Sequence, residues 1–192
     1  MTEIPTPHGP ARVELHEVAE ARATLVLGHG AGGGIGAPDL VAARDAALAA
    51  GVAVALVEQP YRVAGRRSPA PAGQLDAAWL AVLAALDRPG PVITGGRSSG
   101  ARVACRTAAA AGAAGVLCLA FPLHLPGKPD RTRLPELEAV EVPVLIVQGE
   151  RDPFGRPPAA PGREVVLVPG THSLRSTGRI AEALTSWFDA LL

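Results

Sequence analysis

Six short runs rich in Val, Leu and Ile, at 24–28, 52–57, 91–94, 115–120, 143–147 and 164–168, are separated by longer Ala- and Leu-rich stretches. This alternation constrains the fold more than any other feature of the sequence. Runs that are apolar at successive positions, and so on both faces, read as buried parallel strands. The stretches 40–50, 74–86, 101–111 and 179–192 carry apolar residues at helical spacing. Strands that alternate with helices imply right-handed crossovers and a mostly parallel, doubly wound α/β sheet covered on both faces. Residues 12–18 alternate polar and apolar, as expected of a half-exposed edge strand at the start of such a sheet.

With 192 residues, 48% of them hydrophobic, the chain can build one domain around one ample core. Eighteen basic against eighteen acidic side chains leave a formal charge of zero. Without a net positive field to displace counterions, nucleic acid is not an expected partner. The two cysteines, Cys105 in an expected helix and Cys118 in an expected strand, have neither disulfide-framework nor metal-site spacing and read as buried thiols. The beginning, MTEIPTPHGPARVE, has an acidic residue, prolines and no apolar stretch, unlike a secretory signal, so a cytoplasmic location is expected. The most apolar segment, 108–121, is broken by Gly112 and Gly115 and falls short of the ~20 residues that cross a bilayer, so no membrane span is expected.

The strongest local signal is PVITGGRSSGARVA, in which 96–100 fits G-x-S-x-G between an apolar run and an Ala-rich helix. A sharp turn from strand to helix holds the central Ser98 in a strained conformation above the sheet edge, and the flanking glycines let backbone approach closely. The helix N-terminus then offers free amides, Ser99 N–H among them, to a developing oxyanion. The plainer reading is that Ser98 or Ser99 caps the helix.

In a sheet of this kind the orienting acid follows a late strand and the histidine follows the last one. Asp152 lies in the loop after 144–147 and His172 in the loop after 165–168. His172 can take a proton from Ser98 while Asp152 accepts the other ring N–H; Glu150 is the competing carboxylate. Taken singly, Asp152 reads as a turn residue before Pro153 and His172 as a loop histidine. The early glycine-rich loop LGHGAGGG supplies the second oxyanion donor, Ala31 N–H first and Gly30 second. This loop also has the look of a dinucleotide fingerprint, but Glu58, its acidic partner, lies beyond the ~20-residue offset that reading needs.

These motifs together resemble the dienelactone-hydrolase-like α/β-hydrolases, and within them the small hydrolase-like family that includes a testis-expressed protein and a chromatin acetyltransferase-complex subunit. The resemblance rests on LGHGAGGG, GGRSSGAR, FPLHLPGKP, QGERDPFG and GTHSL and covers nearly the whole chain. It implies that Ser98, Asp152 and His172 occupy the triad positions and that the FPLHLPGKP loop borders the site. Dienelactone hydrolases carry cysteine at the nucleophile position, whereas this chain has Ser98, which argues against dienelactone as substrate.

His124 and Lys128, after the 115–120 run, lie where ligands bind in open α/β sheets and can orient a substrate carboxylate or carbonyl; equally, the prolines there make a rigid loop with a solvated lysine. Arg66, with Arg67, is a candidate for an anion-binding rim. Trp79 and Trp187 read as core anchors. The expected activity is that of a serine hydrolase acting on an ester-like bond of a small or medium acyl substrate through an acyl-enzyme, with no cofactor and no metal. No insertion is long enough for a helical cap. A hydrolase-fold module that binds a protein partner, and acyl transfer to an acceptor other than water, are the rival readings.

Overall fold

The computed structural model describes residues 1–192. Its strands are β1 (Thr2–Ile4), β2 (Ala11–His16), β3 (Ala23–Gly28), β4 (Val52–Glu58), β5 (Val92–Arg97), β6 (Gly115–Leu119), β7 (Val144–Gly149) and β8 (Arg163–Val168). Its helices are α1 (Pro38–Ala49), α2 (Pro60–Val63), α3 (Ala72–Ala85), α4 (Ser99–Thr107), α5 (Leu134–Glu138) and α6 (Thr177–Leu191). All eight strands form one sheet in the order β1-β2-β4-β3-β5-β6-β7-β8, parallel from β4 to β8 and antiparallel at β1 and β2.

The core follows from the two-residue period of the strands. Leu25, Leu27, Leu117, Leu119, Leu145 and Val147 face the layer of α1 and α6, where they meet Leu40, Ile180, Leu184 and Phe188. The intervening positions face the other layer: Val26 and Ala55 pack with Leu75, Trp79 and Val82 of α3, while Val116, Cys118 and Ile146 pack with Ala101, Ala104 and Leu137 of α4 and α5. Every residue of β3, β6 and β7 is buried, as strands covered on both faces must be. Trp79 and Trp187 both sit in the core.

Four expectations need correction. The strand expected at 12–18 ends at His16 and is not the edge, because the three-residue β1 pairs outside it through Ile4 and Ala11. A strand that short, set among prolines, leaves no periodic trace in the sequence. β8 is only half-buried, with Leu167 exposed, because it is the last strand of the sheet. The helix expected at 101–111 starts earlier, at Ser99, and ends at Thr107, its Ala-rich tail turning at Gly112 with φ of 59°. The short α2 and α5 lie in segments whose prolines read as loop.

Cys105 and Cys118 are both buried and reduced, with their sulfurs 3.5 Å apart across the α4–β6 contact. The contact with Cys105, and then burial, push the Cys118 thiol well above its ordinary range. No helix is long and apolar enough to cross a membrane.

What fixes the site is the arrangement at the middle of the sheet. β3 lies between β4 and β5, so the chain steps to one side for β4 and crosses back to the other for β5, and the loops after β3 and β5 diverge around a crevice at the carboxyl ends of the strands. There α4 starts hard against β3: a Cβ on Gly100 would run into the Gly28 carbonyl and come within 2.9 Å of the His29 oxygen. Gly100→Ala is therefore expected to destabilise the fold by ~1–3 kcal/mol. Gly73→Ala, in the first turn of α3 with nothing within 4 Å of the added carbon, is expected to stabilise it by ~0.4–1 kcal/mol. Denaturant titration of the two variants beside the parent checks both signs.

Candidate active site

β5 ends at Arg97 and α4 begins at Ser99, so Ser98 must reverse the chain alone. It does so with φ of 51° and ψ of −107°, a conformation that costs a non-glycine residue about 1–3 kcal/mol. The surroundings enforce it: Ser98 N–H donates to the Leu119 carbonyl at 2.9 Å, and Gly96 and Gly100 have no room for a Cβ beside Gly28. Although Ser98 stands at the N-cap position of α4, its hydroxyl makes no capping bond. That hydroxyl lies 2.9 Å from Nε2 of His172 instead.

His172 is carried by the loop after β8. Its Nδ1 lies 2.8 Å from Oδ2 of Asp152, whose side chain is wholly buried. A carboxylate can only accept here, so the ring proton sits on Nδ1 and Nε2 is free to accept from the serine. Three further contacts hold the Asp152–His172 pair in place. Phe154 N–H donates to Oδ1 at 2.9 Å, Gln148 Nε2 donates to Oδ2 at 2.8 Å, and the Phe154 ring lies 4.2 Å, centroid to centroid, from the His172 imidazole. Gln148 is itself fully buried, and its Nε2 also lies 2.8 Å from the Gly155 carbonyl and 3.1 Å from the Phe121 carbonyl, its two hydrogens shared among three acceptors where the loops after β6 and β7 meet. Glu150, the competing carboxylate, is exposed.

The glycine-rich loop after β3 runs past the serine, with a Cβ on Gly30 placed 3.6 Å from Ser98 Cβ. His29, 2% exposed, organises it. Nε2 of His29 accepts Gln59 N–H at 3.0 Å, so Nδ1 carries the proton and donates to the Gly30 carbonyl at 2.8 Å. Gly33 N–H donates to the same carbonyl at 3.2 Å, and Tyr61 Oη donates to the Ala31 carbonyl at 2.9 Å. In a trans peptide the C=O and N–H point opposite ways, so anchoring Gly30 C=O turns Ala31 N–H the other way. The amides of Gly30, Ala31 and Ser99 donate to no protein acceptor, and three expected donors thus remain free.

Of the second-tier residues, His124 is half-buried and points Nδ1–H at its neighbour's carbonyl, Leu125, at 2.9 Å, while its N–H holds the Phe154 carbonyl at 3.0 Å. It thus buttresses the Asp152 loop. Lys128 is exposed and its side chain has no partner. Arg66 is exposed on the rim of a small cavity of about 90 Å³ shared with His8, Gln59 and Gln74, apart from the Ser98–His172 pair. A larger cavity, about 520 Å³, is bounded by the 32–33 loop, the start of α1, Arg97, Ser173 and Arg175, and so includes chain neighbours of Ser98 and His172 but neither of those two residues. The 120–133 loop is closed by Arg133, whose side chain donates to the Pro122 carbonyl at 3.0 Å and whose N–H donates to the Leu123 carbonyl at 2.7 Å, and Arg102 grips Glu136 of α5 through two bonds of 2.6 and 2.9 Å, so α5 lies on α4 and builds no cap. No cluster of three or more His, Cys, Asp or Glu side chains is placed to hold a metal.

Sequence reasoning missed Gln148, Phe154, His29 and the Arg97–Asp39 pair. Gln148 had a signal: a polar residue closing a strand that is otherwise Val-Leu-Ile-Val.

Burial lowers the pKa of His29 below its ordinary value of 6.5, opposed by its bond to Gly30. Below pH 6.5 the unfolded chain takes up a proton that the folded chain refuses, so His29's contribution is present above that pH and lost as pH falls through it toward the folded pKa. The stability difference between the parent and His29→Gln is expected to shrink on acidification below pH 6.5, by up to about 1.4 kcal/mol per pH unit. Parallel denaturant titrations between pH 7.5 and pH 5 check it, and a constant difference contradicts it.

Residues 21–174 match the family described as alpha/beta hydrolase domain. A search of curated proteins returns no match. Among solved structures, the chain is similar to Est1E from Butyrivibrio proteoclasticus with ferulic acid bound (TM-score 0.80, 17% identity, 100% of this chain and 99% of that one). It is also similar to an α/β serine hydrolase without lid from Xanthomonas campestris (TM-score 0.76, 20% identity, 97% and 93%) and to a dienelactone hydrolase from Anabaena variabilis (TM-score 0.75, 17% identity, 100% and 96%). An eight-stranded, mostly parallel sheet with its sharp serine turn after β5, together with a family match over most of its length, makes this chain a member of the alpha/beta hydrolase family in a minimal form without a cap domain.

Proposed function

We propose that this protein is a serine hydrolase that cleaves an ester-like bond, whether ester, thioester or lactone, of a small or medium acyl substrate. The observation that carries the reading is the unbroken hydrogen-bond series from Ser98 Oγ through His172 to Asp152, 2.9 and 2.8 Å, starting at a serine held with φ of 51°.

In this mechanism His172 Nε2 takes the Ser98 proton as Oγ attacks the carbonyl carbon. Buried Asp152 stabilises the imidazolium that forms and keeps its ring oriented. The negative charge that develops on the carbonyl oxygen meets the unused amides of Ala31 and Ser99, with Gly30 as the alternative donor, at the positive end of α4. The imidazolium then protonates the leaving group, leaving an acyl-serine. A water activated by the same ring releases the acid and restores Ser98. Amide donors that need no rearrangement are worth roughly 10²–10³ in turnover each, so the order imposed on the loop by His29 and Tyr61 matters to the chemistry.

Substrate size follows from the absence of a cap. With the site bordered only by loops, an acyl group finds little apolar surface to cover it. Ferulic acid in the related Est1E is an acid of the compact size that such a site accommodates.

A fluorophosphonate probe is expected to label Ser98, located by mass spectrometry, in the parent and not in Ser98→Ala, with labelling of His172→Ala slowed by at least about 10³-fold. On p-nitrophenyl esters, acetate and butyrate should be preferred to long acyl chains, and Asp152→Asn should lower kcat by roughly 10³–10⁴-fold. A folded parent protein that takes up no probe overturns the assignment.

A further inference from the structure

We propose that Arg97, the residue just before the serine, is a positioning residue whose guanidinium, held by Asp39, locks the oxyanion loop and the His172 loop onto the serine turn. The inference rests on the reading of Ser98 as nucleophile.

Arg97 is the last residue of β5 and pairs in register with Leu119, so its backbone is as fixed as the sheet. Its side chain reaches three separate segments. Nε donates to Oδ2 of Asp39 at 2.8 Å, in the first turn of α1. Nη2 donates to the backbone carbonyl of His172 itself, at 3.3 Å. Nη1 lies 2.8 Å from where a Cβ on Gly30 would stand, so the guanidinium lies directly against the loop that carries the free amides, and only glycine leaves it room there. One rigid, planar group, carried by the residue before Ser98, therefore reaches the start of α1, the loop that holds the base and the loop that offers oxyanion donors.

The partner is built to hold that plane still. The Asp39 side chain is 3% exposed, its Oδ1 accepts Leu40 N–H at 3.0 Å, and burial raises its pKa while Arg97 opposes the rise. Burying such a pair seldom adds stability over an apolar pair of the same volume, because desolvation offsets the attraction. Its worth here is geometric. A lysine cannot replace it: an ammonium is a point charge without the fork that spans Asp39 and the His172 carbonyl together. The guanidinium also borders the 520 Å³ cavity, so the space it leaves on truncation is open to a small molecule.

The test uses Arg97→Ala and Arg97→Lys beside the parent, with p-nitrophenyl acetate turnover, fluorophosphonate labelling of Ser98 and amide hydrogen exchange. Arg97→Ala is expected to lose about 10²-fold in kcat with little change in KM, as displacement of reacting groups does. Exchange should quicken in 29–34 and 170–174 while the core strands stay protected. Guanidinium below denaturing concentrations should recover about tenfold of the lost rate by refilling the fork, and methylammonium or urea should not. A merely destabilised variant would be harmed by guanidinium. Arg97→Lys keeps a cation beside Asp39 and is expected to stay folded yet lose most of the activity; parent-like kcat in either variant overturns the proposal. Exchange separates the two levels of the claim. A parent that neither turns over ester nor takes up probe defeats the hydrolase reading, while exchange in the two loops still decides whether Arg97 couples them; unchanged exchange defeats the coupling.

Discussion

Backbone packed against backbone, where Gly28, Gly96 and Gly100 meet without intervening side chains, is the constraint on which the rest of the site depends. Because α4 begins against the end of β3, β5 must turn into it within one residue, and Ser98 takes the left-handed φ that results. The strain at this residue is offset by the parallel register on both sides of β5, in which Gly28 pairs with Gly96 and Arg97 with Leu119. The close approach that forces the turn also brings the loop after β3 to the serine. Hydroxyl and amides are thus brought together by one packing event.

With no cap to clamp the loops from above, they are held from within by polar groups. Gln148 fastens Asp152 to the Phe121 and Gly155 carbonyls, His29 fastens the glycine loop to Gln59, and Arg97 fastens the His172 loop to α1. Each sits where water is largely excluded, so its bonds are stronger than at the surface and its loss would strand a buried partner. Hydrophobic packing decides where the strands lie, and these few polar side chains decide where their loops point.

That division explains what was legible in the sequence. Strands β3 to β7 were readable because burial on both faces demands apolar runs, β8 because its half-buried chain still carries the run Val165–Val168, and the serine turn because glycines must flank it. The chain order Ser98, Asp152, His172 located three side chains that the fold brings within hydrogen-bond reach. Three-residue β1 and the proline-rich α2 and α5 were not legible, since none is long enough to repeat a hydrophobic period. Nor were the side chains that hold the loops: Arg97 meets Asp39 across 58 positions and His172 across 75, and residue type alone does not say which charge finds which. Nor was it legible that Arg66, a loop arginine near Tyr61 in sequence, lines a small cavity with His8 and Gln74.

The same distribution bears on how such a site changes. A substitution at the cavity mouth, at Ser173 or Arg175, touches none of the bonds that hold Asp152 or the glycine loop, so the rim can vary while the serine turn stays intact. A substitution at Gln148, His29 or Arg97 instead removes a polar group that holds the loops around the serine turn. The shape of the rim and the geometry of the Ser98–His172–Asp152 series therefore rest on different residues of this small fold, the first on exposed loop positions and the second on polar atoms held inside it.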